Sequence, residues 1–119
     1  MSRLNLTVIR SADIHQSAKF YELLGLQFEL HSHGKGPKHY ATIDSESTFE
    51  IYPATDERPV TIGCRIGFEV SSCDEISSSL IEAGFTASIM PTDTAWGRRA
   101  VFADPDGHPV EVVSPLENA

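Results

Sequence analysis

Polar and apolar residues alternate weakly over residues 3–10, the pattern of a strand. Over residues 13–24 the pattern changes to an i, i+4, i+7 stripe of Ile14, Ala18, Tyr21 and Leu24, which predicts a helix. Asp13, with Gln16 three residues on, has capping-box spacing at its start, and Gly25 supplies its stop. Strand-like runs follow at 26–33, 39–43 and 48–52. The first two are joined by Gly34-Lys35-Gly36-Pro37, a turn too short and too poor in hydroxyls to cradle a phosphate. Residues 53–59, rich in proline and charge, read as a linker. The same order then returns. A strand is predicted at 61–70, then a helix opened by Ser72 with Glu75 and stopped at Gly84. Further strands are predicted at 85–90, 98–103 and 109–114, with a loop at 91–97. Asp104-Pro105-Asp106-Gly107 is a strong turn signal, with Pro at the first central position and Gly free to take a positive φ.

The second half repeats the first in detail. Glu50 and Glu111 each stand alone inside an apolar strand-like run, 61 residues apart in a chain of 119. Asp13 and Asp74, each near a helix start, are also 61 apart, and Gly25 and Gly84 are 59 apart. An offset near half the length predicts two copies of one unit, with the two Glu residues in equivalent places. Helices are too few for alternating parallel crossovers, so the fold class is α+β with mostly antiparallel strands.

Composition narrows the partners more than the fold. No apolar run approaches the ~20 residues of a membrane span, and residues 1–4 have no secretory character, so the expected location is cytoplasmic. Cys64 and Cys73 are not in Cys-x-x-Cys spacing and are expected to stay reduced. A net charge of −8 without a Lys/Arg cluster argues against nucleic acid and tolerates a cationic ligand.

The half-chain duplication, the segment 13–28 and the segment 103–113 together resemble the vicinal oxygen chelate superfamily. That group includes glyoxalase I, extradiol dioxygenases, fosfomycin-resistance enzymes and bleomycin-resistance proteins. The resemblance implies two tandem βαβββ modules forming a cupped, mixed but mostly antiparallel sheet around a small-molecule site, with helices outside. It implies one glyoxalase-like domain over 1–119, with repeats at about 1–53 and 61–115 joined by 54–60. It also implies a homodimer, as does the small surface that a half-chain buries alone. Metal-binding members place ligands on the first and last strand of each half. The last-strand positions match Glu50 and Glu111; the first-strand positions, usually His, are Leu6 and Arg65. Leu has no donor atom and a guanidinium repels a cation, so no metal and no other cofactor is expected at that position.

Taken without the family, a Glu between apolar strand neighbours points away from them, most often into water. Glu50, Arg65 and Glu111 then form either an ion cluster filling the old metal position or fixed charges that orient a polar ligand. Tyr52 shares a strand face with Glu50 and can offer its hydroxyl to the same ligand. Trp96, the only tryptophan, is a lid or a plug on its loop. His31 and His33 share a face and His39 lies across the turn, a set suited to zinc or copper or simply a solvated hairpin end. His15 is expected to be exposed and His108 to lie at a strand edge. The expected function is metal-independent binding of a small molecule lined by Leu6, Tyr52, Arg65 and Trp96, with Glu50 and Glu111 as candidate catalytic bases. The alternatives are sequestration without chemistry, and a metal-dependent lyase or dioxygenase drawing on His31, His33 or His39.

Overall fold

A computed structural model describes residues 1–116. The chain forms two compact units, Met1–Thr61 and the remainder from Ile62. The first contains β1 (Leu6–Ser11), α1 (Ile14–Glu22), β2 (Phe28–His31), β3 (His39–Thr42) and β4 (Thr48–Pro53). The second contains β5 (Ile66–Glu69), α2 (Cys73–Glu82), β6 (Ala87–Thr94), β7 (Gly97–Ala103) and β8 (Pro109–Ser114). Each unit is a four-stranded sheet, ordered β1-β4-β3-β2 and β5-β8-β7-β6. In each, the first and last strands pair in parallel and the other pairs are antiparallel. The α+β class and the tandem βαβββ modules are therefore as the repeat predicts.

In the first unit Asp13 is extended and caps α1, accepting from the His15 and Gln16 amides at 3.0 and 3.2 Å. The helix closes at Gly25, whose φ of +100° is open to glycine at no steric cost. The helix buries Ala18, Phe20 and Tyr21 against Ile9, Phe49 and Ile51 of the sheet. Each such large side chain contributes about 1.5–3 kcal/mol when fully buried. Tyr21 meets Phe49 edge-on at 4.8 Å.

In the second unit Ser72 is the cap, its Oγ accepting from the Glu75 amide at 3.2 Å. Ser72, rather than Asp74, is therefore the counterpart of Asp13. Cys73, Leu80, Ala100, Phe102, Val110 and Val112 make the core. The predicted loop over 91–97 is mostly strand: β6 runs through Thr94, with register shifts between Ala87 and Thr92. Pro91 lies there on an outer strand, where irregular pairing tolerates a residue with no amide hydrogen. Only Ala95 and Trp96 remain as the turn. His108 is buried rather than at an open strand edge. Asp104 Oδ1 accepts from the amides of Asp106 and His108 at 3.0 and 2.9 Å, and its Oδ2 lies 2.8 Å from His108 Nδ1. That turn fixes the register of β7 against β8. Among the described residues no helix is long and apolar enough to cross a membrane.

Candidate functional site

The pleat sends alternate side chains to opposite faces. On β4, Phe49 and Ile51 are buried, so Glu50 and Tyr52 point to the open face of the sheet. On β8, Val110 and Val112 are buried, so Glu111 and Val113 point to the open face. Glu50 pairs across to Val8, and Glu111 to Gly67. The two carboxylates therefore hold the same place in their units. A Cβ at position 67 would lie 3.3 Å from Glu111 Oε2, so glycine there gives the carboxylate room.

The antiparallel neighbours carry the match further. Ala41 stands opposite Glu50 and Val101 opposite Glu111. Two residues earlier on those strands, and so on the same face, are His39 and Arg99. Each repeated carboxylate is faced by a basic side chain from one register position. His39 Nε2 is 3.8 Å from Glu50 Oε2, and Arg99 Nε is 2.6 Å from Glu111 Oε1.

The expected partner of Glu111 was Arg65, and here the structure differs. Arg65 lies just before β5, is exposed, and among the described residues makes no ion pair. Arg99 takes the role because the pleat splits the Arg98-Arg99 pair between two faces. Arg98 turns to the helix side, 3.3 Å from Asp74 and 3.1 Å from Asp93. The Asp93 hydrogen bond, ahead of the Asp74 charge, raises the pKa of the Arg98 guanidinium. Arg99 turns to the open face opposite Val113. The sequence signal was available: the 104–107 turn sets the β7–β8 register, which puts Arg99 beside Glu111.

Arg65, Trp96, Arg99, Glu111 and Val113 line one cavity of about 370 Å³ in the second unit. Trp96 stands in the hairpin turn with 81% of its surface exposed. Three of the six predicted site residues, Arg65, Trp96 and Glu111, thus surround one hollow. The other three belong to the first unit. Leu6 opens β1 and is exposed; Glu50 and Tyr52 flank His39. Tyr52 stacks on the His39 ring at 4.1 Å and 8°, and the Arg10 guanidinium lies 4.9 Å from the Tyr52 ring. His31, His33 and His39 come together, one ligand atom of each within 4.8 Å of the others. A second hollow of about 340 Å³ opens at the start of α2, where Arg98, Asp74 and Asp93 already satisfy one another. Burial pushes the Cys73 thiol pKa up, with Asp74 adding to it against the Ser77 hydrogen bond and Arg98, so Cys73 is not an activated nucleophile.

Residues 3–112 match the family described as the Glyoxalase/Bleomycin resistance protein/Dioxygenase superfamily. A Mycolicibacterium smegmatis protein, described only as uncharacterized, is 24% identical over 96% of this chain and 95% of its own. Among solved structures, TnmS3, an antibiotic binding protein from Streptomyces sp. CB03234, superposes with a TM-score of 0.79. It is 22% identical, with 97% of each chain covered. The oxidase ChaP-H2 superposes with a TM-score of 0.76 at 25% identity, covering 98% of this chain and 96% of that one. With the duplicated βαβββ unit and the paired strand glutamates already in place, the chain belongs to the Glyoxalase/Bleomycin resistance protein/Dioxygenase superfamily.

Proposed function

We propose that this protein binds a small aromatic molecule bearing an acidic or hydrogen-bond-accepting group, without a metal, in the cavity of the second unit. The observation that carries this is the composition of that cavity. Trp96 offers an exposed aromatic face at its rim, and Arg65 is a cation in no ion pair among the described residues. Arg99 and Glu111 neutralise one another in its wall, which makes a fixed polar surface rather than a reactive one. An indole face and a guanidinium together suit a planar ligand with one polar edge. The likeness to an antibiotic binding protein supports binding as the function.

The metal positions of the family do not fit a metal in this chain. Leu6 has no donor atom, Arg65 is itself a cation, and Glu111 is engaged by Arg99 at 2.6 Å. Turnover of a small molecule held in the first unit is a second reading, favoured by one observation: Glu50 sits 3.8 Å from His39 there, a carboxylate beside an imidazole. We also propose a homodimer, for which exposed Leu6 and Val8 on the open face of β1 give an apolar contact; light scattering at micromolar concentration should give twice the chain mass.

The single tryptophan makes the main reading directly measurable. Aromatic carboxylates and polycyclic phenols that raise the melting temperature should change Trp96 emission saturably, and should be recovered intact. Trp96→Ala or Arg65→Ala should weaken that binding by roughly 1–2 kcal/mol each. Ligands that stabilise the protein while leaving Trp96 emission untouched would place the site elsewhere. A ligand recovered chemically changed would establish the second reading.

A further inference from the structure

We propose that the first unit carries a binding site for a divalent transition ion of the zinc class, formed by His31, His33 and His39 with Glu50 beside them. It goes beyond the ligand cavity, lies in the other unit, and shares with the family's metal positions only Glu50. Three observations converge on it. First, one ligand atom from each histidine lies within 4.8 Å of the other two. Tetrahedral bonds of about 2.0 Å set ligand atoms roughly 3.3 Å apart, so the cluster has to close by at most about 1.5 Å. His33 is exposed and His31 half-exposed, so ring rotation can supply that movement without disturbing the core.

Second, His39 is a buried base with nothing to hold. It is 1% exposed, and its Nε2 has no hydrogen-bond partner among the described residues. Its Nδ1 lies 3.2 Å from the Pro37 carbonyl oxygen, which can only accept. Nδ1 therefore carries a proton in that contact, and in the neutral ring Nε2 presents a lone pair. A histidine whose other nitrogen donates to a backbone carbonyl is the usual form of a metal ligand. Third, the surroundings favour a cation. Glu50 Oε2 is 3.8 Å from that nitrogen, and Glu29 Oε2 is 3.7 Å from His31 Nε2. The tight turn holds the two strand ends together: the Gly36 amide donates to the His33 carbonyl at 2.9 Å. Tyr52, stacked flat on His39, fixes its ring plane.

The test uses the full chain without an appended histidine tag, stripped with a chelator and titrated with Zn²⁺ by calorimetry and with Co²⁺ by visible absorption. The expected result is one ion per chain, with the intense visible bands of tetrahedral Co²⁺. His31→Ala and His33→Ala, both away from the core, should each weaken Zn²⁺ on the order of 100-fold. His39→Ala should abolish uptake. Should that variant fail to fold, the two surface variants decide alone. Glu111→Gln should leave Zn²⁺ affinity unchanged. No saturable uptake, uptake undiminished in the His31→Ala/His33→Ala double variant, or loss of uptake in Glu111→Gln would each overturn the proposal.

Discussion

The two units place a carboxylate and a base at matching points and then diverge. In the second, Arg99 meets Glu111 at 2.6 Å; in the first, His39 stands 3.8 Å from Glu50 and keeps a nitrogen with no hydrogen-bond partner among the described residues. A guanidinium is always charged and offers only donors, so its pair with a carboxylate is complete in itself. A neutral imidazole offers a lone pair, so its place beside a carboxylate stays open to a third group. The turns diverge in the same way. Residues 32–38 form a loop between β2 and β3 that brings His33 to the cluster, whereas residues 95–96 close β6 onto β7 and lift Trp96 to the cavity rim. One duplicated backbone thus leaves an imidazole beside its carboxylate in one half and a closed ion pair in the wall of a hollow in the other.

The sharpest way to break that comparison is at the tight turn. Gly97 has a φ of +135°, and a Cβ there would overlap the Ser114 carbonyl oxygen and lie 3.1 Å from Val113 Cγ1. Gly97→Ala should therefore cost about 3 kcal/mol or more, through backbone strain and overlap with backbone atoms that cannot swing aside. The melting temperature should fall on the order of 10 °C. The corresponding position in the first unit is Pro37, in the longer loop, and Pro37→Ala should cost less than about 1 kcal/mol. Thermal unfolding of both variants checks the contrast. Equal losses would mean that the two turns constrain their sheets alike.

The carboxylate pairs supply the next test. Arg99→Ala leaves Glu111, with about a quarter of its side chain exposed, without its ion-pair partner. The expected loss is about 1–2 kcal/mol, below the cost of stranding a fully buried charge because water still reaches the carboxylate. Arg65→Ala should stay within about 0.5 kcal/mol, since that side chain is exposed and in no ion pair among the described residues. Urea midpoints measured at constant m-value separate these outcomes. A larger loss for Arg65 than for Arg99 would restore the pairing expected from the family's strand positions.

How far the sequence revealed this fold follows from which forces act locally. Caps, turns and hydrophobic period are local, so both helices and the 104–107 turn were legible, as was the equivalence of Glu50 and Glu111. Pro91 misled, because a proline marks a break in a regular strand but is tolerated on an irregular outer one. The partner of Glu111 was harder still, because it depends on cross-strand register rather than on neighbours in sequence. Arg65 was suggested because it stands at the first-strand position of the family's metal set; Arg99 follows only once β7 is laid against β8. His39 was visible as a residue, but its burial beneath Tyr52 was not, since stacking across strands leaves no periodic signal.

The smallest effect separates the helix starts. Cys73 is 1% exposed at the first position of α2, where the first unit has Ile14. Its amide donates to Ser114 Oγ at 2.9 Å, and its thiol lies 3.7 Å from the Val112 carbonyl oxygen. Burial raises the pKa of this thiol above its ordinary value, with Asp74 adding to it against Ser77 and Arg98. The folded protein therefore keeps the proton at a pH where the unfolded chain has lost it. At such a pH the unfolded state binds fewer protons, so stability must fall as pH rises. The thiol's contribution is complete below the ordinary thiol value and is lost as pH climbs through the raised one. Cys73→Ala removes this dependence along with some packing. The stability gap between wild type and Cys73→Ala should accordingly be widest near neutrality and narrow in alkaline buffer, a change smaller than either effect above. Cys64 is common to both proteins, so the comparison isolates Cys73. A gap that stays constant between about pH 7 and pH 10, on either side of the ordinary thiol value, would show that the Cys73 thiol ionises as readily folded as unfolded.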